Sequence, residues 1–588
     1  NNYSAEHGHS GGGVVALSTR SGSNQWHGGA NESFRNDALD ARNFFSARKA
    51  PLKWNVYGAH AGGPIRRDRT HFFALWEGAK QVIGGTQTLN LPTLAQRQGD
   101  FSNTRNAAGA VIPIYDPATT RPGPGGTGFV RDPFSGNRIP TASFDPVAAA
   151  ALPSWPQPNL PGTITGASNF TANPRTVLTR NIIVFRVDHR LTSRDQITWR
   201  QFLNFNLTES QPTYADIEAD PFSTRTQGRT HNYMIAETHT FSPSLVNEFR
   251  WAFLPRFFLS SAPKLDGNAA QRIGLRGVNA RAFPQFVIAG VTGAGRGGPF
   301  RSSSPIDDRQ IQDSVTYVRG QHIVKFGGEY RWGRFGDNTD TNPSGQFNFN
   351  QLMTGLPGAG TSGHSFASFL LGQVNNASIL DEDELFSTAS YRALYAQDDW
   401  KVARNFTLNL GMRWETESPR DVEGGKLNAF DPLATNPVSR TPGVVTFAGQ
   451  GGIPTTAWDM DKKNFGPRFG FSWNVPGLGS TVVRGGYGIF YYSGVSAIVA
   501  NVAALGFSLD VTAVSAQAGI TPAFALRSGY PPYTPPGAER RNAGFGAVAV
   551  GASPTTAVSY FHRDRTTPYS QQFNLNIQHE LAQKILVE

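Results

Sequence analysis

The clearest regularity in the chain is a period of two. From Phe406 to Glu415, Phe406, Leu408, Leu410, Met412 and Trp414 alternate with Thr407, Asn409, Gly411, Arg413 and Glu415. Successive Cβ atoms on a strand point to opposite sides, so this segment predicts a ribbon apolar on one face and polar on the other. Val324, Phe326, Tyr330 and Trp332 divide in the same way from Lys325, Gly327, Glu329 and Arg331, as do Phe573, Leu575 and Ile577 from Asn574, Asn576 and Gln578. Weaker repeats occur at 197–205, where Phe202 interrupts the polar side, and near 481–491. About fifteen such strands are expected, the last of them incomplete.

This pattern fits either a soluble sandwich, with its apolar side on a core, or an outer-membrane barrel, with its apolar side on lipid and a wet lumen inside. The connections separate the two. Short polar turns are predicted at 64–69, 191–195, 242–244, 319–321, 401–404, 476–480 and 581–584. They alternate strictly with long irregular stretches at 35–51, 81–180, 207–228, 259–307, 336–388, 417–464 and 493–567. In an up-and-down antiparallel sheet, that alternation sends every tight turn to one rim and every long loop to the other. Transmembrane barrels sort their loops in this manner, whereas compact soluble domains rarely carry repeated structureless loops beyond about 15 residues. The expected fold is therefore all-β, a transmembrane antiparallel up-and-down barrel. Its lumen-facing candidates are Arg200, Arg250, Lys325, Glu329, Arg331, Arg413, Glu415 and Arg484. Its lipid-facing candidates are Phe326, Tyr330, Trp332, Leu408, Leu410, Trp414 and Leu575. Trp400, Trp414, Trp332, Tyr330, Tyr491 and Tyr492 fall near strand ends, as an interfacial girdle requires, although cross-strand aromatic packing gives the same placement.

Composition narrows the function classes. Eleven Trp, 16 Tyr and 41 Phe in 588 residues are too many for a disordered chain. No run approaches the ~18 apolar residues of a membrane helix. The absence of Cys excludes disulfides, thiolate metal sites and Cys nucleophiles. A net charge of +10 is modest at this length and does not call for nucleic acid. Asn1 is followed by no signal peptide and Ile585-Leu586-Val587-Glu588 resembles the opening of an unpaired strand, so the chain reads as a fragment of something longer.

Several segments invite chemistry and are better read structurally. Gly293-Ala294-Gly295-Arg296-Gly297-Gly298 satisfies G-x-G-x-x-G, but Pro299 and Ser302-Ser303-Ser304-Pro305 stand where a nucleotide-binding helix must start, which leaves a flexible surface loop. Asp381-Glu382-Asp383-Glu384 lacks the spacing of a calcium loop and reads as a solvated acidic patch. His7 and His9 have no third metal ligand nearby in sequence. Asp398 and Asp399 invite a paired-carboxylate reading. Tyr115-Asp116-Pro117, Phe144-Asp145-Pro146 and Phe430-Asp431-Pro432 read as turns, with stacking on sugars or peptides as the alternative. No nucleophile elbow is present. Neither an enzyme, a cofactor nor a metal site is expected.

Taken in order, certain segments resemble TonB-dependent outer-membrane receptors, and among them the Oar-like group, whose full members carry a carboxypeptidase-regulatory-like domain before the plug. They are Gly11-Gly12-Gly13-Val14-Val15, Phe34-Arg35-Asn36-Asp37-Ala38, Gly62-Gly63-Pro64-Ile65, Arg186-Val187-Asp188-His189, Phe326-Gly327-Gly328-Glu329-Tyr330, Tyr395-Ala396-Gln397-Asp398-Asp399-Trp400, Asn464-Phe465-Gly466-Pro467-Arg468 and Arg484-Gly485-Gly486-Tyr487-Gly488. The resemblance implies a 22-stranded barrel closed by a plug, with residues 1–24 the end of the plug and 25–588 most of the barrel. It also implies long extracellular loops at 81–180, 259–307, 336–388, 417–464 and 493–567. For Asp398 and Asp399 it replaces the paired-carboxylate reading with a tight periplasmic turn or a barrel–plug contact. The implied location is the cell outer membrane, and the implied partners are outer-membrane lipid and lipopolysaccharide, the TonB complex and an unknown extracellular substrate. The implied function is energy-coupled transport. A surface barrel for adhesion or ligand binding without transport is the alternative, and a soluble glycan-binding or hydrolytic β-protein is a third reading that the loop sorting disfavours.

Overall fold

In the computed structural model the described residues are all but 1–3, 16, 43, 45–48, 50, 265–266, 279–281, 382–383, 438, 451–452, 457, 479–480, 493–508, 518, 534–560, 582–584 and 588. Fifteen strands follow one another around the wall: β1 (His27–Asn36), β2 (Leu52–Arg66), β3 (Thr70–Gly84), β4 (Arg175–Arg190), β5 (Asp195–Ser210), β6 (Arg225–Ser242), β7 (Leu245–Ser261), β8 (Ile306–Arg319), β9 (His322–Thr341), β10 (Leu385–Ala403), β11 (Phe406–Glu417), β12 (Phe465–Asn474), β13 (Thr481–Tyr491), β14 (Tyr569–Leu581) and β15 (Ile585–Val587); two short segments, Pro299–Ser303 and Asp421–Val422, bring the described strands of the same sheet to seventeen. Each of the fifteen pairs antiparallel with its neighbours in chain order. Among the described residues, β1 and β15 are each paired on one side only. No described helix is long and apolar enough to cross a membrane.

The sorting of loops follows the sequence pattern. Connections at 67–69, 191–194, 243–244, 320–321, 404–405, 475–480 and 582–584 alternate with others at 37–51, 85–174, 211–224, 262–305, 342–384, 418–464 and 492–568. Strands reach further into the long loops than the alternation of side chains reveals; β9, for example, continues to Thr341 and β10 begins at Leu385.

The sheet is strongly curved, and its own contacts require it. The Thr19 carbonyl accepts from Arg186 Nη1 on β4 at 2.7 Å, while the Gly11 carbonyl accepts from Gln572 Nε2 on β14 at 2.8 Å. Ten strand spacings separate β4 from β14, roughly 48 Å across a flat sheet. Eight residues of chain reach about 28 Å at most. Even with two side-chain lengths added, only a sheet that curls around the 4–24 segment lets it touch both walls.

The long loops are not irregular, contrary to the sequence reading. The described parts of the loops at 85–174, 211–224, 262–305, 342–384 and 492–568 fold together into a cap with its own core, while 418–464 packs in smaller clusters of its own. Gln285–Ile288, Val291–Ala294, Gln346–Phe349, Asn376–Asp381 and Leu509–Val514, contributed by three different loops, form a five-stranded sheet in which Gln285–Ile288 and Gln346–Phe349 run parallel. Phe101, Trp155, Phe286, Phe347, Phe369 and Leu526 are buried in one apolar cluster beneath it. Arg131 ties the loops together. Its Nη1 donates to the carbonyls of Leu352, Met353 and Gly355, and its Nη2 to those of Gly519 and Ile520. The Leu352 carbonyl also accepts from the Gly355 amide; a buried carbonyl left without any donor costs about 1–3 kcal/mol.

Two motif readings change accordingly. Gly293 and Ala294 sit inside the cap sheet, with Ala294 fully buried and the Gly295 amide donating to Ala219, so this stretch is a packed hairpin and not a flexible loop. Asp398 and Asp399 lie within β10 and not in a turn. They point to opposite faces, Asp398 to His322 (2.7 Å) and Asp399 to Asn409 (2.6 Å), which separates the two carboxylates. Of the three aromatic-Asp-Pro motifs, two open short helices, with Asp116 and Asp145 as N-caps of Pro117–Thr119 and Pro146–Ala151, and the third lies at an irregularity within the strand Asn428–Thr435; Asp116, Asp145 and Asp431 each accept a main-chain N–H two residues on. Asp145 also accepts from Arg527, joining two cap loops. Of the acidic run at 381–384, Glu382 and Asp383 lie outside the described residues.

Candidate functional site: the polar face and its N-terminal clamp

Antiparallel partners share a face, so the register traces the two sides of the wall from strand to strand. Glu329 pairs with Gln312 on β8 and Ala393 on β10, and Ala393 pairs with Glu415; Lys325 leads through Gln397 to Gly411, two residues from Arg413. Arg250 pairs with Gln312, Arg331 with Gln310 and Tyr391, Arg200 with Met234, and Arg484 with Ser472. All eight polar candidates thus occupy one face, the one that the 4–24 segment covers. The seven apolar candidates occupy the other. Phe326, Tyr330, Leu410 and Leu575 are exposed there, Leu575 to 70%, while Leu408, Trp332 and Trp414 are half-buried among their neighbours.

Arg413 is the centre of the polar face. Only 1% of its surface is exposed, and all five of its N–H donors are used. Nε meets Glu415 Oε2 at 2.9 Å. Nη2 meets Glu329 Oε2 at 2.9 Å and the Tyr391 hydroxyl at 2.8 Å. Nη1 meets the carbonyls of Ala5 and Glu6, each at 3.1 Å. A guanidinium suits this role because its donors form a rigid planar fork that reaches carboxylates and carbonyls together. The wall grips the segment at further points. Ser4 Oγ and the Ala5 amide donate to Gln397 Oε1 at 2.9 and 2.8 Å, Lys325 pairs with Glu6, and Arg468 donates to the Ser4 carbonyl. The His9 amide donates to Glu415 at 3.2 Å, and its ring packs on Tyr391 and lies 3.7 Å from Glu417. Small residues let the main chain come this close. A Cβ on Gly8 would stand 2.0 Å from Arg413 Nε, and one on Gly411 3.1 Å from the Ala5 Cβ.

The other polar candidates serve the wall. Arg331 pairs with Glu329, Arg200 donates to Asn232 at 3.1 Å, Arg250 to Glu248 at 3.3 Å and Arg484 to Gln578 at 3.0 Å. The sequence reading missed Tyr391, Gln397 and Arg468. Each stands on the polar face of its strand, and that position was the available signal. Beside the clamp, a cleft of about 290 Å³ opens between Ser4, Asn409, Arg468, Arg484 and Asn574. Its lining offers donors and acceptors without a nucleophile–base pair. The arrangement holds the N-terminal segment through ion pairs and main-chain hydrogen bonds.

Comparison with known proteins agrees with this architecture. A family model described as "Outer membrane beta barrel domain" matches residues 18–588. The TonB-dependent transporter Oar of Myxococcus xanthus is 23% identical over 472 residues, covering 71% of this chain and 39% of that protein. Among solved structures, the outer membrane transporter YddB from Escherichia coli aligns with a TM-score of 0.46 at 10% identity, over 91% of this chain and 45% of that one. The siderophore receptor PirA from Acinetobacter baumannii aligns with a TM-score of 0.38 at 11% identity, over 81% and 44%. The chain spans less than half the length of each of these relatives. With a family match across nearly the whole chain and a sheet whose apolar face turns outward, the protein belongs to the outer membrane β-barrel domain family and its place is the cell outer membrane.

Proposed function

We propose that this chain is part of a TonB-dependent transporter, in which residues 1–24 end a plug and residues 25–588 form most of the barrel wall with an extracellular cap built from the long loops. Substrate would bind at the cap and the outer surface of the plug, and energy delivered through TonB would release the plug from the wall. Outer-membrane lipid and lipopolysaccharide would surround the apolar face. No bond is made or broken in this reading; the work is gated passage. The observation that carries it is the Arg413 clamp, because it holds the segment through main-chain carbonyls and charge-assisted bonds that can break and re-form without unfolding the wall.

A disulfide tests it directly. The chain has no Cys, and the Gly411 and Ala5 Cβ positions, 3.1 Å apart, need to separate by only about 0.4 Å to reach the ~3.5–4.5 Å of a disulfide. Ala5→Cys with Gly411→Cys in the full-length protein should abolish uptake under oxidising conditions and restore it on reduction. Suitable substrates are found by profiling a gene-deletion strain across ferric siderophores and oligosaccharides. If uptake is indifferent to the cross-link, passage does not require release. If deletion alters surface attachment and no uptake, the protein is an adhesion barrel.

A further inference from the structure

On the opposite, apolar face, near the short turn from β6 to β7, Asp195, Glu237 and His239 each bring one ligand-capable atom to within 4.8 Å of the others. Glu237 and His239 are two residues apart on β6 and so share a face. Asp195 on β5 is the register partner of His239. The three therefore form a triangle across two strands, fixed by backbone pairing. Asp195 lies within electrostatic reach of Arg194, but the surroundings of Glu237 are poor in donors. Glu237 stands between Ile197 on β5 and Phe249 on β7, and neither side chain can donate a hydrogen bond. The Asn247 amide, opposite His239, is committed to Asp313 at 2.6 Å. Phe241 lies edge-on to the His239 ring, with centroids 4.2 Å apart. The Asp195 and His239 side chains are only 18% and 27% exposed, so water screens the Asp195 carboxylate incompletely. Asp195 is already oriented, one oxygen accepting from the Thr192 hydroxyl and the other bonded to His239 Nδ1.

We propose that Asp195, Glu237 and His239 bind a divalent transition-metal cation of the zinc type, which staples β5 to β6 at the short-turn rim of the wall. One imidazole nitrogen and two carboxylate oxygens make a borderline donor set that suits zinc. Calcium is disfavoured, since it takes six to eight oxygens. Bonds of ~2.0–2.2 Å to a tetrahedral ion put ligand atoms roughly 3.4 Å apart. The Glu237 edges, at most 4.8 Å, close by up to about 1.4 Å to reach that spacing, while the hydrogen-bonded Asp195 and His239 atoms move apart to it. The cation neutralises two facing carboxylates, Thr192 supplies the outer bond that fixes a ligand, and the fourth position is left to water.

The test uses the full-length protein purified in detergent, stripped with EDTA and equilibrated with zinc sulfate or cobalt chloride. The expected result is one zinc per chain and the visible absorption of four-coordinate cobalt. Affinity should fall by about tenfold or more in Glu237→Gln and in His239→Asn. His322→Asn, which breaks the other His–Asp pair of this face, should leave it unchanged. Heat-modifiable gel mobility identifies any variant that has not folded, and Asp195→Asn then serves in its place. Equal affinity in wild type and Glu237→Gln, or loss in His322→Asn alone, would overturn the proposal and leave a hydrogen-bonded His–Asp pair beside a hydrated glutamate.

Discussion

Replacing Arg413 by Met keeps the bulk of the side chain and removes its charge and all five donors. The Glu329 and Glu415 side chains, 3% and 6% exposed, then face each other without their shared cation. Breaking a buried pair from one side costs about 3–5 kcal/mol, because a charge is left uncompensated. The lower figure applies here. Glu329 keeps Gln310 (2.8 Å) and Arg331, and Glu415 keeps the Tyr391 hydroxyl and the His9 amide. Since two of the lost bonds hold Ala5 and Glu6, the cost falls on the attachment of the N-terminal segment. About 3 kcal/mol corresponds to a rise of roughly a hundredfold in the population of the released segment. Ala5 is fully buried and the chain has no native thiol, so Ala5→Cys reports release through its rate of maleimide labelling in detergent. Labelling of Ala5→Cys should accelerate about a hundredfold when Arg413→Met is added. An exposed pair, Arg121–Asp132 on the cap, provides the contrast. Its members are 52% and 58% exposed, and its loss should leave labelling unaltered. An acceleration below about fivefold for Arg413→Met would refute the assignment of Arg413 as the clamp.

Three further outcomes are expected in the cap. Phe286→Ala empties a site where the ring meets Phe283, Phe347, Phe349 and Phe369, and should destabilise the cap by about 3–5 kcal/mol, read as faster trypsin cleavage of the long loops on intact cells. Gly363 has φ +83° and a Cβ there would lie 2.1 Å from the Gln351 carbonyl oxygen; Gly363→Ala should cost roughly 2 kcal/mol or more in the same assay, whereas alanine at open Gly136 should cost less. Desolvation in the cap lowers the His364 pKa from 6.5 to about 4. Between those values the unfolded cap binds a proton that the folded cap does not, so stability falls as pH drops from about 6.5 toward 4, by at most about 3 kcal/mol. His364→Asn keeps an N-cap acceptor for the Phe366 amide and should flatten that dependence of protease resistance.

The wall was legible because its rule is local. Side chains such as those of 406–415 alternate with the pleat, and each short turn lies between two alternating runs, so strand count and loop sorting follow from neighbours in sequence. The cap obeys no local rule. Phe286, Phe347, Phe369 and Leu526 come from separate loops, each bringing a few apolar residues without period, and their burial depends on contacts between segments far apart in the chain. For the same reason G-x-G-x-x-G read as a mobile loop, although the Gly295 amide is held by Ala219. The clamp lay between these extremes. Arg413, Glu415 and Glu329 stood out as polar residues on one face of their strands, but that face does not reveal that Arg413 meets Ala5, 408 positions away. The same holds for the Asp195, Glu237 and His239 triangle, which only the register of β5 on β6 brings together.

The two faces of the wall meet different solvents. Strand β14 tests this in consecutive residues, since Phe573, Leu575 and Ile577 are 83%, 70% and 56% exposed on one face while Asn574, Asn576 and Gln578 lie on the other. Single cysteines at these six positions, labelled with bimane in reconstituted bilayers, should be quenched by brominated lipid at 573, 575 and 577 and by aqueous iodide at 574, 576 and 578. Uniform quenching by iodide along the strand, or brominated-lipid quenching at the asparagines, would contradict it.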